Sequence, residues 1–232
     1  LNGYNQTVSQ LSGSITQGGT TNVLTSATAA TLTVNQTAAT LFNGRLTGAL
    51  NLVKDGAGTL TLSNSLSALS GSITVSNGTL AVALTSSLGN PAALNISSGS
   101  GAKVAVAAGI TEPVVKLFVD GVQQQGGTYG AVGSGAETES DTYFSGSGKI
   151  SVLQGTAVTW DGGGSDTLMS SAQNWAGDLA PAFKGNSVTF GTGGSTAVVD
   201  IAASLYGMTF SRDTNFVVAA GSGVITNGAG GL

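Results

Sequence analysis

The side chains able to do chemistry in this chain of 232 residues are few, and their kinds decide more than their number. There is no cysteine and no histidine. Neither Ser-His-Asp nor Cys-His nucleophilic catalysis can be assembled without them, and no thiolate or imidazole is present to hold a metal. Carboxylates remain. Glu112, Glu137, Glu139 and Asp141 are of the type that acts in pairs as acid and base in glycoside hydrolysis. They lie in a Gly- and Ser-rich stretch without a strand pattern, so a solvated loop is the expected setting for all four. Asp161-Gly162-Gly163-Gly164-Ser165-Asp166 has the residue types of a calcium turn, where carboxylates and turn carbonyls surround the ion. Its register departs from the Gly-Gly-x-Gly-x-Asp roll and it occurs once, so it reads as a polar turn and no metal site or cofactor is assigned.

Trp160 and Trp175, with Phe190 and Tyr206 further along, offer flat apolar rings of the kind that stack on sugars. They are the candidate carbohydrate-binding residues of an alternative reading. The preferred one is that they pack inside a coil stack or at its end. Four Asn-x-Ser/Thr sequons, at Asn5, Asn35, Asn77 and Asn95, are expected at exposed turns. The Gly-rich stretches lack a following Lys-Ser/Thr and a helix, which a phosphate cradle requires. A net charge of −4 leaves no basic footprint for nucleic acid.

The elements that would position these groups are strands. Residues 1 to 44 and 56 to 102 carry no charged side chain, whereas a helix on the surface of a globular domain needs charge on its wet face. Leu60-Thr61-Leu62, Ile73-Thr74-Val75, Leu80-Ala81-Val82, Leu94-Asn95-Ile96 and Val104-Ala105-Val106 alternate with the period of a half-buried strand. Turn clusters such as Ser76-Asn77-Gly78, Gly89-Asn90-Pro91 and Ser97-Ser98-Gly99-Ser100-Gly101 separate them.

The strands also recur. Gly58-Thr59-Leu60-Thr61-Leu62 returns as Gly78-Thr79-Leu80-Ala81-Val82, and Leu11-Ser12-Gly13-Ser14-Ile15-Thr16 returns unchanged from Leu69 to Thr74. Val188-Thr189-Phe190 is echoed by Met208-Thr209-Phe210, with Val158-Thr159-Trp160 in the same style. A period near 20 residues with two or three short strands fits one coil of a parallel β-solenoid. The expected fold is therefore all-β, a right-handed parallel β-helix with coils of about 20 residues and a column of Leu, Val and Ile as its core. Leu60, Leu62, Ile73, Val75, Leu80 and Val82 should face inward.

Residues 52–63, with the run Lys54-Asp55-Gly56-Ala57-Gly58-Thr59-Leu60, and residues 71–80, with Gly71-Ser72-Ile73-Thr74-Val75-Ser76-Asn77-Gly78-Thr79-Leu80, resemble the autotransporter-associated β-strand repeat, also called the passenger-associated transport repeat. Ser72 stands where that family usually has Thr, and Ala68-Leu69-Ser70 replaces its usual Tyr-Thr-Gly. Residues 116–150 are similar to the segment that closes such an array, and residues 160–190, from Trp160-Asp161 to Ser187-Val188-Thr189-Phe190, to the opening of a fresh one. The expected division is a repeat array over 1–112, an array-closing segment over 113–153 and a further array over 154–232. The resemblance implies a bacterial passenger region, secreted or displayed at the cell surface, with no catalytic residue to carry over. Partners implied are neighbouring repeats or further copies end to end and surface or matrix glycans, with no membrane span in this segment. The first and last residues carry no capping pattern, so these residues are expected to be a slice of a longer repetitive chain.

Overall fold

The structure is a computed structural model that describes residues 1–13, 22–97, 99 and 101–227. Ser14, Ile15 and Thr16 of the earlier repeat copy, Ser98 and Ser100 of one turn, and the segment 228–232 lie outside the described residues. The chain is nearly all strand and winds as a parallel β-solenoid of about 10 turns of roughly 21 residues. It divides into two compact units, one formed by Leu1–Gln123 with Thr128–Val152, the other by Gln124–Gly127 with Leu153–Leu232.

The first unit rests on two long parallel sheets. One stacks Gln6–Val8, Val23–Asn35, Arg45–Asp55, Ile73–Val75, Leu94–Ile96 and Leu117–Val119 in that order. The other stacks Thr40–Phe42, Thr59–Leu62, Thr79–Val82, Lys103–Val106 and Phe144–Ser145. Because side chains alternate across a strand and the stacking is in register, like residues meet from rung to rung. Leu32, Leu52, Ile73, Leu94 and Leu117 form one inward column. Leu60, Leu80, Val104 and Phe144 form another, beside Phe42, Leu62, Val82 and Val106. All six core residues expected from the alternation are buried, and Leu60 pairs directly with Leu80, as the period requires. The 20-residue offset also holds for Leu32 with Leu52, Phe42 with Leu62 and Val188 with Met208, whereas Ile73 pairs with Leu94 and Leu80 with Val104, because the segments joining those rungs are longer.

Parallel stacking in the first sheet ends at a hairpin. Val122–Gln123 runs antiparallel to Leu117–Val119, through Asp120 and Gly121, whose φ angles are 49° and 78°. An Asp-Gly pair with both residues left-handed is the tight turn that matches strand twist.

The second unit stacks Ala157–Trp160, Lys184–Phe190, Ala203–Phe210 and Ile225–Asn227 in one parallel sheet, and Thr196–Val199 on Val217–Ala220 in another. Its core is rich in aromatic rings: Trp160 and Phe190 are fully buried in one column, which the exposed Phe210 continues. No helix among the described residues is long and apolar enough to cross a membrane.

Candidate functional sites

Each strand of the repeat must end in a corner, and corners expose backbone carbonyls to a core that cannot hydrate them. Lys54 answers this need at the end of Arg45–Asp55. It sits in an inward column between Val34 and Val75 and is 0% exposed. Its ammonium donates to the carbonyls of Asp55 at 3.0 Å, Gly56 at 2.7 Å and Asn77 at 3.0 Å, so one side chain ties the corners of two successive rungs. Burial pulls the ammonium below its ordinary pKa, and the Asp55 carboxylate partly restores it. Gly78, on the upper corner, has φ +64°, and a Cβ there would lie 2.5 Å from the carbonyl oxygens of Gly56 and Gly58. Only glycine lets the corners stack this closely. On the rung below, the buried Gln36 does the same work with an amide, donating to Ala38 O, Thr40 Oγ1 and Thr59 O. In the second unit Asn186 is the counterpart, donating to Gln125 Oε1 at 3.1 Å and to Thr156 O at 2.9 Å.

The four carboxylates considered for glycoside hydrolysis fall into two settings, Glu112 buried in a strand and Glu137, Glu139 and Asp141 exposed. Glu139, exposed, accepts hydrogen bonds from Gly133 N–H at 3.1 Å and Gly135 N–H at 2.8 Å, and these two amides hold its carboxyl below the ordinary range. Asp141 accepts from Val132 N–H at 2.9 Å, while Glu137 is an exposed member of the same loop. Glu139 and Asp141 fasten their own loop. Glu112 corrects the sequence reading: it lies in the strand Thr111–Val114, not in a loop, and is 0% exposed. Its Oε1 accepts from Leu88 N–H at 2.8 Å and its Oε2 is buried without a partner. Desolvation raises its carboxyl to about 7 against the pull of the Leu88, Ser86 and Ser87 amides.

Asp161 and Asp166 accept hydrogen bonds from their own segment. Asp161 Oδ1 accepts from Gly163 N–H, and Asp166 accepts from Leu168 N–H, Ser171 Oγ–H and Asn174 Nδ2–H. The Leu168 amide and the Ser171 hydroxyl hold the Asp166 carboxyl low. Among the described residues no three Asp or Glu side chains gather around a common point.

Trp160 and Trp175 are 0% and 1% exposed, so neither ring turns a face to solvent for a sugar to stack on. They meet edge to face at 5.2 Å, Trp175 packs on Phe183 at 5.4 Å, and Trp160 leans on Phe190 at 6.4 Å. Trp175 Nε1 donates to Met169 O at 2.8 Å. Tyr206 is half-buried on the strand Ala203–Phe210. Of the sequons, Asn77 lies in a turn, Asn5 accepts from Thr31 N–H, and Asn35 closes the strand Val23–Asn35. Asn95 departs from the expected turn, because it sits mid-strand, half-buried, with its amide on Ile73 O.

Glu112 thus keeps one oxygen unbound, while Lys54, Gln36 and Asn186 are spent on the protein's own corners. What they build is a repetitive solenoid whose corners are capped from inside. Residues 52–82, which span the Lys54 corner and the Leu60–Leu80 rung pair, match the passenger-associated-transport-repeat family. No curated protein and no solved structure matches the chain.

Proposed function

We propose that this chain is a structural and adhesive passenger segment of a larger secreted or surface-displayed bacterial protein, a stiff non-catalytic spacer with neighbouring repeats or further copies as end-to-end partners. The observation that carries the reading is the Lys54 corner. Within the stretch that matches the passenger repeat, the one buried cation is bound to three backbone carbonyls and left no proton to offer a substrate. The carboxylates elsewhere support the same view, since those on the surface are occupied by loop amides. Adhesion fits a surface of Ser, Thr and Asn, which recognises glycans by hydrogen bonding and leaves the buried tryptophans to the core. An antibody against this chain should label intact bacteria that carry it, or their medium, and external protease should remove the label. Label confined to permeabilised cells would sink the proposal. A glycan array separates the adhesive role from a purely mechanical one: selective binding supports adhesion, and a blank array leaves the spacer alone.

A further inference from the structure

Glu112 is used by no chemistry described above, yet it occupies an unusual place. In the strand Thr111–Val114 alternate residues face the core, and Glu112 takes an inward position beside Ile150 of the neighbouring strand Lys149–Val152. Its anchor is the Leu88 amide, with those of Ser86 and Ser87 directed at the same carboxylate. These three amides belong to the loop 83–93, between the strands Thr79–Val82 and Leu94–Ile96. That loop is sharply bent. Ser86 and Asn90 hold φ angles of 64° and 55°, a left-handed region that asparagine enters readily and serine seldom does. Leu88, on the same bend, is fully buried in the core of the first unit.

We infer that Glu112 is a proton-operated latch on the loop 83–93: the neutral carboxyl keeps the loop clamped over the core, and the ionised carboxylate favours a loop opened to water. The unpartnered Oε2 is the atom that carries the proton, since a neutral buried oxygen costs far less than a bare buried charge. The closed form, with its carboxyl at about 7, binds the proton better than an opened form at the ordinary 4.5. Closure is therefore fully present below pH 4.5 and weakens as pH rises to about 7, where the dependence levels off. No other charge intrudes. The loop has no titratable residue and neither has the rest of 56–102. Lys149, on the facing strand, is bound to Gly135 O, and Lys116 follows beyond Val114. Burial and the three amides alone set the environment of the carboxyl.

The test is hydrogen exchange on the whole chain at pH 5, 6, 7 and 8, corrected for intrinsic rates, reading peptides over 84–93 and, as a reference, 50–62. With a closed value of about 7 and an open one of 4.5, protection of the loop should fall about 40-fold from pH 5 to 7 and less than about twofold from pH 7 to 8. The reference peptides should not follow. Glu112→Gln keeps an acceptor for the Leu88 amide and abolishes titration, so its loop protection should be flat to within about threefold across the range. A flat profile in the unaltered protein overturns the latch, as does a Glu112→Gln loop that keeps the wild-type slope. Should that variant fail to fold, the unaltered profile decides by its shape, and Glu112→Met serves as the second neutral replacement.

Discussion

Replacing Lys54 by methionine asks whether the ammonium, or only its apolar stem, holds the repeat corner. The stem is kept in volume, so any loss comes from the three carbonyls that Lys54 now serves. One of them, Asp55 O, also accepts from Gln36 N–H at 3.1 Å and keeps a partner. Gly56 O and Asn77 O are left to find water at a corner closed from above and below. An orphaned acceptor costs about 1 to 3 kcal/mol, hence about 2 to 6 for the pair. Against this stands the relief of no longer burying a charge, which the lowered pKa of Lys54 shows to be incompletely compensated in the fold. The balance is a loss of about 2 to 3 kcal/mol. Urea unfolding at pH 7 should show it as a lower midpoint with the slope unchanged, the sign that stability moved and the denatured state did not. The neighbours in the same column are Val34 and Val75, so a core with no use for the ammonium would accept methionine readily. A midpoint equal to wild type, or higher, would refute the corner-capping role.

Leu80→Asp places an unpaired charge at a fully buried position between Leu60 and Val104, and should cost more than about 4 kcal/mol, seen as loss of the cooperative urea transition. Gly78→Ala should cost about 2 to 4 kcal/mol in the same assay, because the corner above Gly56 must move apart and the residue must hold a left-handed φ. Trp175→Phe keeps the ring in the aromatic core but orphans Met169 O, so a loss of about 1 to 3 kcal/mol is expected, with any glycan-array signal unchanged. Excess chelator should leave the melting temperature within about 1 °C, since Asp161 and Asp166 already accept hydrogen bonds from their own turn and stability would follow metal only if metal bound the native state.

Most of the core could be read from alternation, because a solenoid repeats its local pattern in three dimensions without rearranging it. Leu60 and Leu80 share a neighbourhood in sequence style and then share a column. What escaped was the face on which the rare charges lie. The composition around Glu112 points to a solvated loop, and the repeat motif alone leaves the face of Lys54 open, whereas parity within their own strands turns both inward. Lys54 falls in step with Leu50 and Leu52, and Glu112 with Val114, all of them buried. The same parity would have placed Asn95 on the outer face of its strand between the inward Leu94 and Ile96. Trp160 could be placed too, since Val158-Thr159-Trp160 stacks on Val188-Thr189-Phe190 residue for residue. Its edge-to-face contact with Trp175 could not, because Trp175 reaches it through a loop and a 3-10 turn whose path no period fixes.

The inward charges follow from the stacking itself. On the outer face like residues lie about 4.8 Å apart from rung to rung, so a charge repeated there repels its copies and gains little from water-screened partners. On the inner side a corner offers carbonyls or amides that nothing else can satisfy, and a single Lys or Glu meets several at once. Lys54 takes the carbonyls of two rungs, and Glu112 takes the amides of a bent loop. The difference between them is the number of partners. Three acceptors match the three protons of an ammonium, so Lys54 is a fixed fastener, whereas the spare oxygen of Glu112 leaves one site open to a proton. A protein with so little charge therefore concentrates its sensitivity to pH at Glu112, the one buried carboxylate among the described residues, which its backbone does not fully bind.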